Sequence, residues 1–407
     1  MNKLVSLYRA SYTGLNPASW WLSLVMLINR CGTMVVPFMA LYLTQSLQYS
    51  IARAGLVVAL FGAGAICGGF IGGRLADRFG FYLVQLITLV GGGLMFFLLG
   101  QMRSYTGICA VTFLLSVVNE SFRPANSMAI AHYSAAENRT RSYSLNRLAI
   151  NLGWALGGTL GGFIAAHNYS LLFYIDGATN IFAAVLLLLF LKAAGTRRPV
   201  PKAGEAVLSR WLAYKDKAYV VFSFLVVIYA YAFFQMFSTL PVFFREVWKL
   251  SERRIGLTMA VNGLMIALIE MVLIFRLEGR RRPLQFIVPG TVLIAASFAA
   301  LNVLPAGFGS AMISTVLVTL GEMLSMPFMN TYWISRTNEG TRGQYAGLYT
   351  VSWATAQVLG PYLGANTVQW LGFTRHWWLI TGITLVAAAG FYCLEKVSVK
   401  SALPAAK

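Results

Sequence analysis

The sequence predicts an all-α integral membrane protein, with twelve transmembrane helices in two pseudo-symmetric six-helix bundles. Three observations predict it. Of 407 residues, 58% are hydrophobic and only 11% charged, with a mean hydropathy of +0.67. A water-soluble fold of this length could not cover so much apolar surface, so lipid must be its solvent. Apolar windows of spanning length occur as six and then six, divided by the longest polar stretch of the chain. The two sets also carry a weak internal repeat at an offset of 203 residues.

The first six windows fall at 20–44, 53–75, 82–101, 106–133, 143–166 and 170–192. The second six fall at 218–244, 254–275, 284–304, 308–334, 344–370 and 374–395. Each is long enough for a helix to cross the hydrocarbon core. The expected domains are therefore an N-terminal half (1–192), a cytoplasmic linker (193–217) and a C-terminal half (218–407). The repeat is clearest where ENRTRSYSLNRLAINLGWALGGTLGG (137–162) resembles EGTRGQYAGLYTVSWATAQVLGPYLGA (339–365). It aligns Arg139 with Arg342, Gly157 with Gly360, and Gly161 with Gly364. Parallel repeats of this kind build transporters whose site lies at mid-membrane between the halves.

Orientation follows from the basic residues. With both termini inside, cytoplasmic segments hold 22 of the 32 Lys and Arg, external loops 7 and the spans 3, a clear inside bias. The loop after span 7 is the exception, with Arg245, Lys249, Arg253 and Arg254. The expected location is the cell's inner (cytoplasmic) membrane, crossed many times. The net charge of +19 would point to nucleic acid in a soluble chain. Here it lies in short loops beside anionic lipid, so no nucleic-acid partner is expected. The expected partners are the bilayer and a small-molecule substrate, with the chain a monomer.

Other classes find no support. Cys31, Cys67, Cys109 and Cys393 lie in separate apolar segments without CxxC or Cys/His spacing, so neither a disulfide framework nor a metal site is expected. His132, His167 and His376 are scattered near span ends, and HExxH, GxSxG and GxxxxGK[ST] patterns are missing. An enzyme or an ATP-driven pump is therefore not expected. No cofactor is implied, and a proton gradient would be the energy source. No signal-peptide core precedes the first span, so no cleavage is expected.

Two motifs carry a resemblance. GGRLADRFG, residues 72–80, sits between spans 2 and 3. Its Gly73, Asp77, Arg78 and Gly80 match the loop signature of the major facilitator superfamily, although Phe81 and Tyr82 stand where that family usually has basic residues. The twelve spans, the linker and the repeat resemble the same family, which implies the major facilitator fold. In that family the signature acid pairs with helix ends and arginines to hold one face shut. The resemblance therefore implies a conformational lock of Asp77 and Arg78, with Glu137 or Arg139 nearby. In span 5, Gly153, Gly157, Gly158 and Gly161 resemble the family's antiporter motif, with Gly158 where proline is usual. Span 11 has the more regular Gly360-Pro361 version. Glycines three and four apart share a helix face that another backbone can approach closely. The resemblance implies that they seal the contact between the halves and bend during switching.

Intramembrane charges mark the candidate site, since hydrocarbon strongly disfavours them. The first half carries Arg30 in span 1, Glu120 and Arg123 in span 4 and Arg147 in span 5; the second carries Glu270 in span 8 and Glu322 in span 10. Glu120 and Arg123, at i and i+3, can pair on one face. Glu322 has no basic residue within a turn, which makes it the first candidate proton carrier. Glu270 comes second, near enough to the cytoplasmic end to be a solvated rim residue, and Glu120 third. Asp176 reads as an outer-rim group. Arginines on one side and glutamates on the other suit a substrate with both kinds of charge. Asn29, beside Arg30, and Asn151 extend that polar lining. Tyr229 and Gln235 in span 7, Asn330 and Trp333 in span 10, and Trp353 and Gln357 in span 11 add an aromatic and amide lining for amphipathic compounds.

The expected function is secondary active transport by alternating access, with proton-coupled export of amphipathic, drug-like compounds in the lead. Residues 28–45 also bear a loose likeness to span 1 of proton-coupled oligopeptide symporters, without their acids. Coupled uptake of peptides or similar zwitterions is the alternative.

Overall fold

The computed structural model describes residues 2–191, 212–338 and 340–402, and all regular structure among them is helical. Residues 193–211 of the expected linker lie outside the described residues. Span 1 is two helices, Pro17–Cys31 and Val35–Leu41, the second passing into a π-helical turn at Tyr42–Ser46. Spans 2 to 6 are Ile51–Phe79, Phe81–Gln101, Tyr105–Tyr133, Arg139–His167 and Tyr169–Phe190. Span 7 is Lys217–Phe234 and Thr239–Glu246, joined through a turn. Span 8 runs through Glu252–Met265, a π-helical segment Ile266–Glu270, and Met271–Leu277. Spans 9 and 10 are Leu284–Val303 and Phe308–Ser335. Spans 11 and 12 lie within Arg342–Ala402, which turns at Gly372, whose φ of 75° favours glycine.

Among the described residues, ten helical stretches are long and apolar enough to cross a membrane. One of them, Arg342–Val397, has the length for two crossings, and the broken span 1 adds another. The twelve expected spans are thus present. Their starts carry the residues that satisfy free amides. Asn16 accepts from Ala18 N with Pro17 at the first position, Ser50 from Arg53 N, Ser104 from Gly107 N, Asn168 from Ser170 N and Asp216 from Tyr219 N. Outward faces are apolar, as at Phe163, Leu189 and Trp370, which fits a lipid solvent.

The described chain divides into two compact units. The N-terminal unit is Gly14–Ala213 with Thr337–Ala354, and the C-terminal unit is Met1–Thr13, Tyr214–Arg336 and Thr355–Lys407. In the N-terminal unit, Gly64, Gly68 and Gly72 repeat every four residues along span 2. A methyl group on each would strike Phe113, Val117 or Ser121 of span 4. The Ser116 and Ser121 hydroxyls cross the same seam to the carbonyls of Phe61 and Gly68. In the C-terminal unit, Gly290 and Gly321 bring spans 9 and 10 equally close. That unit also holds the N-terminal helix Asn2–Tyr12, packed on Met271–Leu277 of span 8. Asp216 and Arg336 join the start of span 7 to the end of span 10 through two 2.8 Å bonds.

The span-5 glycines face span 1 of their own unit. A Cβ at Gly153 would come within 2.5 Å of Arg30 Cβ, and one at Gly157 within 2.8 Å of the Cys31 carbonyl oxygen. Gly161 meets Met34 and Phe38, whereas Gly158 has nothing within 4 Å. The close approach of these glycines is to span 1. In span 11, Gly360 faces Phe234 of span 7 in the same manner, with Pro361 following. Gly157→Val should lower the melting temperature of purified protein, by overpacking worth about 1–3 kcal/mol. Gly158→Val should melt like the native chain, and fluorescence-monitored thermal unfolding compares the two.

Candidate functional site

In the N-terminal unit Arg30, Glu120 and Arg123 come together. Arg123 Nε lies 2.7 Å from Glu120 Oε2. Arg30, only 7% exposed, lies in the electrostatic range of both. Its Nε also donates to Met26 Sδ at 3.5 Å, one turn back. Arg147 is half-buried and interacts electrostatically with Tyr349. Asn151 is half-buried, and its Nδ2 has no hydrogen-bond partner. Two cations beside one carboxylate leave this cluster with an excess of positive charge in a low-dielectric setting.

Beneath it runs an amide network that pattern reading missed. Gln85 of span 3 donates to Asn126 of span 4, which donates to Asn146 of span 5, each at 3.2 Å. All three are buried, and the network ties spans 3, 4 and 5 together. Asn126 is three residues past Arg123, on the same helical face, which was its one sequence signal. Asn29 is buried as well, its Nδ2 turned to Asn180 Oδ1 of span 6 at 2.9 Å. Its amide is engaged with the fold.

Asp176 is not at the outer rim. It has no exposed surface, and its carboxylate accepts the amides of Met34 at 3.0 and 3.1 Å and of Val35 at 2.7 Å. These amides follow the break in span 1, where the preceding turn cannot supply their acceptors.

The C-terminal unit holds the other acids. Glu322 is 1% exposed, and its Oε1 accepts Nδ2 of Asn262, from span 8, at 3.0 Å. The same Nδ2 reaches Thr319 Oγ1 at 2.9 Å. Glu270 is equally buried rather than a solvated rim group, because it closes the π-helical segment and the N-terminal helix brings Tyr12 into its electrostatic range. Burial, then the Tyr8 hydroxyl, raises the proton affinity of Tyr12.

The expected aromatic and amide lining divides. Tyr229, Gln235 and Trp333 have no exposed surface. Trp333 Nε1 donates to Asn330 Oδ1 at 3.2 Å, and Asn330 Nδ2 to the Met326 carbonyl. Gln235 bridges spans: Nε2 donates to the Gly360 carbonyl at 3.0 Å, and Oε1 accepts from Thr239 at 2.7 Å. Trp353 packs edge-on against Tyr349, and Gln357 is exposed. Helical periodicity places such residues on a face without saying whether that face is core.

Asp77, the acid of the loop signature, holds the first turn of span 11. Its Oδ1 accepts Gly343 N and its Oδ2 Gln344 N, both at 2.7 Å, at the first turn of span 11. The first-turn amides and the positive end of the helix dipole both favour a carboxylate there. The approach requires glycine twice, since a methyl group at Gly73 would meet the Gly343 carbonyl, and one at Gly343 the Gly73 carbonyl. Gly80 turns the chain with a φ of 88°. Arg78 is exposed over the ring of Phe79, and Glu137 is exposed. Arg139, half-buried, faces Tyr143, Arg342 and Glu137 electrostatically.

A family profile described as the Major Facilitator Superfamily matches residues 22–361. The chain belongs to this superfamily. It is accordingly a multi-pass membrane transporter and not an enzyme. Its relatives differ in cargo. A Na(+), Li(+), K(+)/H(+) antiporter of Planococcus maritimus is 20% identical, covering 90% of this chain and 92% of its own. Multidrug resistance protein 1 of Bacillus subtilis is 22% identical, covering 78% and 81%. The structure of the proton:xylose symporter XylE superposes with a TM-score of 0.72 at 16% identity, over 95% of this chain and 96% of that one. That likeness shows the fold alone.

Asp77→Asn keeps the size of the side chain but turns a donor toward one of the two amides, and should release the start of span 11. In a chain whose natural cysteines are replaced, cysteines placed one at a time at positions 344 and 346 should react faster with maleimide in the variant. Unchanged rates would refute the lock.

Proposed function

We propose that this transporter exports amphipathic, drug-like compounds in exchange for protons, from the inner membrane, as a monomer with both termini cytoplasmic. The observation that carries the reading is the contrast between two buried carboxylates. Glu120 lies 2.7 Å from Arg123, an ion pair within its own helix. Glu322 is buried to 1% with the neutral amide of Asn262 as hydrogen-bond donor. A carboxyl in such surroundings gains and loses a proton as its access to water changes. In the cycle, Glu322 takes a proton from outside as cargo leaves, and releases it inside as cargo binds. Arg30 and Arg123 contact anionic parts of the cargo. Drug export is supported by the span-5 glycine pattern and by the multidrug resistance relative.

The arginine excess around Glu120 favours a second reading, uptake of zwitterions such as peptides with a proton. Direction separates the two. In proteoliposomes with an internal pH dye, an added cationic amphiphile should drive protons opposite to itself, while a dipeptide that carries protons with it would favour symport.

Glu322→Gln should abolish proton movement while the protein still folds and still exchanges cargo down a gradient; proton movement at the native rate would remove Glu322 as carrier. Arg30→Ala should weaken binding of anionic amphiphiles by about tenfold, the loss of roughly one charged hydrogen bond, and of neutral ones much less. Tryptophan-fluorescence titration with both classes checks this, and equal losses would contradict the anion contact.

A further inference from the structure

Span 6 holds both sides of the break in span 1. The first helix ends at Cys31 and the next begins at Val35, with Gly32 to Met34 between. Beyond the break, Asp176 takes the amides of Met34 and Val35. Before it, Asn180 Oδ1 takes Nδ2 of Asn29. Asp176 and Asn180 are four residues apart and share one face of span 6. They are also joined directly, since Asn180 Nδ2 donates to the Asp176 carbonyl at 2.8 Å. Both are almost fully buried. Thr179, on the same turn, stands where a methyl group on Gly32 would have to go, which leaves the break no room for a larger residue. Arg30 lies between the two tethers, one residue past Asn29, and its Cβ rests on Gly153 of span 5.

We propose that Asp176 and Asn180 form a clamp that fixes the break in span 1 and so sets the position of Arg30 toward Glu120 and Arg123. They are positioning residues for the cargo's anionic group. That consequence rests on the reading of Arg30 given above, whereas the clamp is tested without cargo. A carboxylate suits the task because its two oxygens accept both amides and need no donor in return. Asparagine at 176 offers one acceptor and turns a donor toward the other amide.

Cys31 is half-buried at the edge of the break and reports on it. With Cys31 as the sole cysteine, N-ethylmaleimide should label Asp176→Asn about fivefold faster than the chain with Asp176, the effect of losing roughly one hydrogen bond. With Cys109 of span 4 as the sole cysteine, the same substitution should leave the rate unchanged. Asp176→Glu, which keeps the carboxylate, should restore most of the protection at Cys31. Asn180→Ala cuts the other tether alone and should give the same selective rise, which keeps the test open if Asp176→Asn does not fold. Unchanged Cys31 labelling in a folded variant, or equal acceleration at Cys31 and Cys109, overturns the clamp. A negative result leaves the anion contact of Arg30 standing, and equal binding losses in Arg30→Ala leave the clamp standing.

Discussion

Hydrocarbon offers no partner to a backbone amide, so a helix can break inside the membrane only where the protein supplies one. In this chain the rule acts at two places related by the internal repeat. At its offset of 203 residues Gly32 corresponds to Gln235, and both mark the break in the first span of their half. In span 1 the freed amides go to Asp176 of span 6. In span 7 the turn supplies its own acceptors, since Phe237 N donates to the Phe234 carbonyl and Ser238 N and Leu240 N to the Gln235 carbonyl, while the Gln235 side chain reaches Thr239 and the Gly360 carbonyl of span 11. The glycines of spans 5 and 11 are needed because broken helices lie against them: Gly157 meets the Cys31 carbonyl, and Gly360 faces Phe234. Breaks held in this way account for the burial of Asp176 and for the glycines packed against them.

The same setting divides the carboxylates. Each oxygen buried away from water must find a donor, and the kind of donor decides what the group can do. Asp77 takes two backbone amides of span 11 and fixes a helix end. Asp176 takes two of span 1 and fixes a break. Glu120 takes a guanidinium from its own helix. Glu322 takes a side-chain amide from the neighbouring span 8, which a small shift between the two spans can remove. On the proposed reading, that is why the proton falls to Glu322 and the holding of structure to the others.

Much of the fold was readable in the sequence because lipid imposes a simple rule of length and polarity. The windows found all twelve spans, and the repeat paired Gly157 with Gly360. The loop signature singled out Asp77, whose carboxylate meets the start of span 11, while Arg78 and Glu137 are exposed. What stayed hidden depends on partners far away in sequence. The break at Gly32 is stabilised from position 176, and no local pattern announces it. Asp176 and Glu270 read as rim groups because depth was measured from window ends. The span-6 helix in fact buries Asp176 against the break, and the N-terminal helix packs beside Glu270's segment. Gly64, Gly68 and Gly72 had the same four-residue spacing as the span-5 glycines, and only the structure shows that they form the seam between spans 2 and 4.

The central claim is that Glu322 carries the exchanged proton. Infrared difference spectra of purified protein, recorded between acid and alkaline buffer, test it most directly. The account predicts that Glu322→Gln removes one protonated-carboxyl component of the difference spectrum and that Glu120→Gln leaves that component in place. A component that survives in Glu322→Gln and is lost in Glu120→Gln would contradict it.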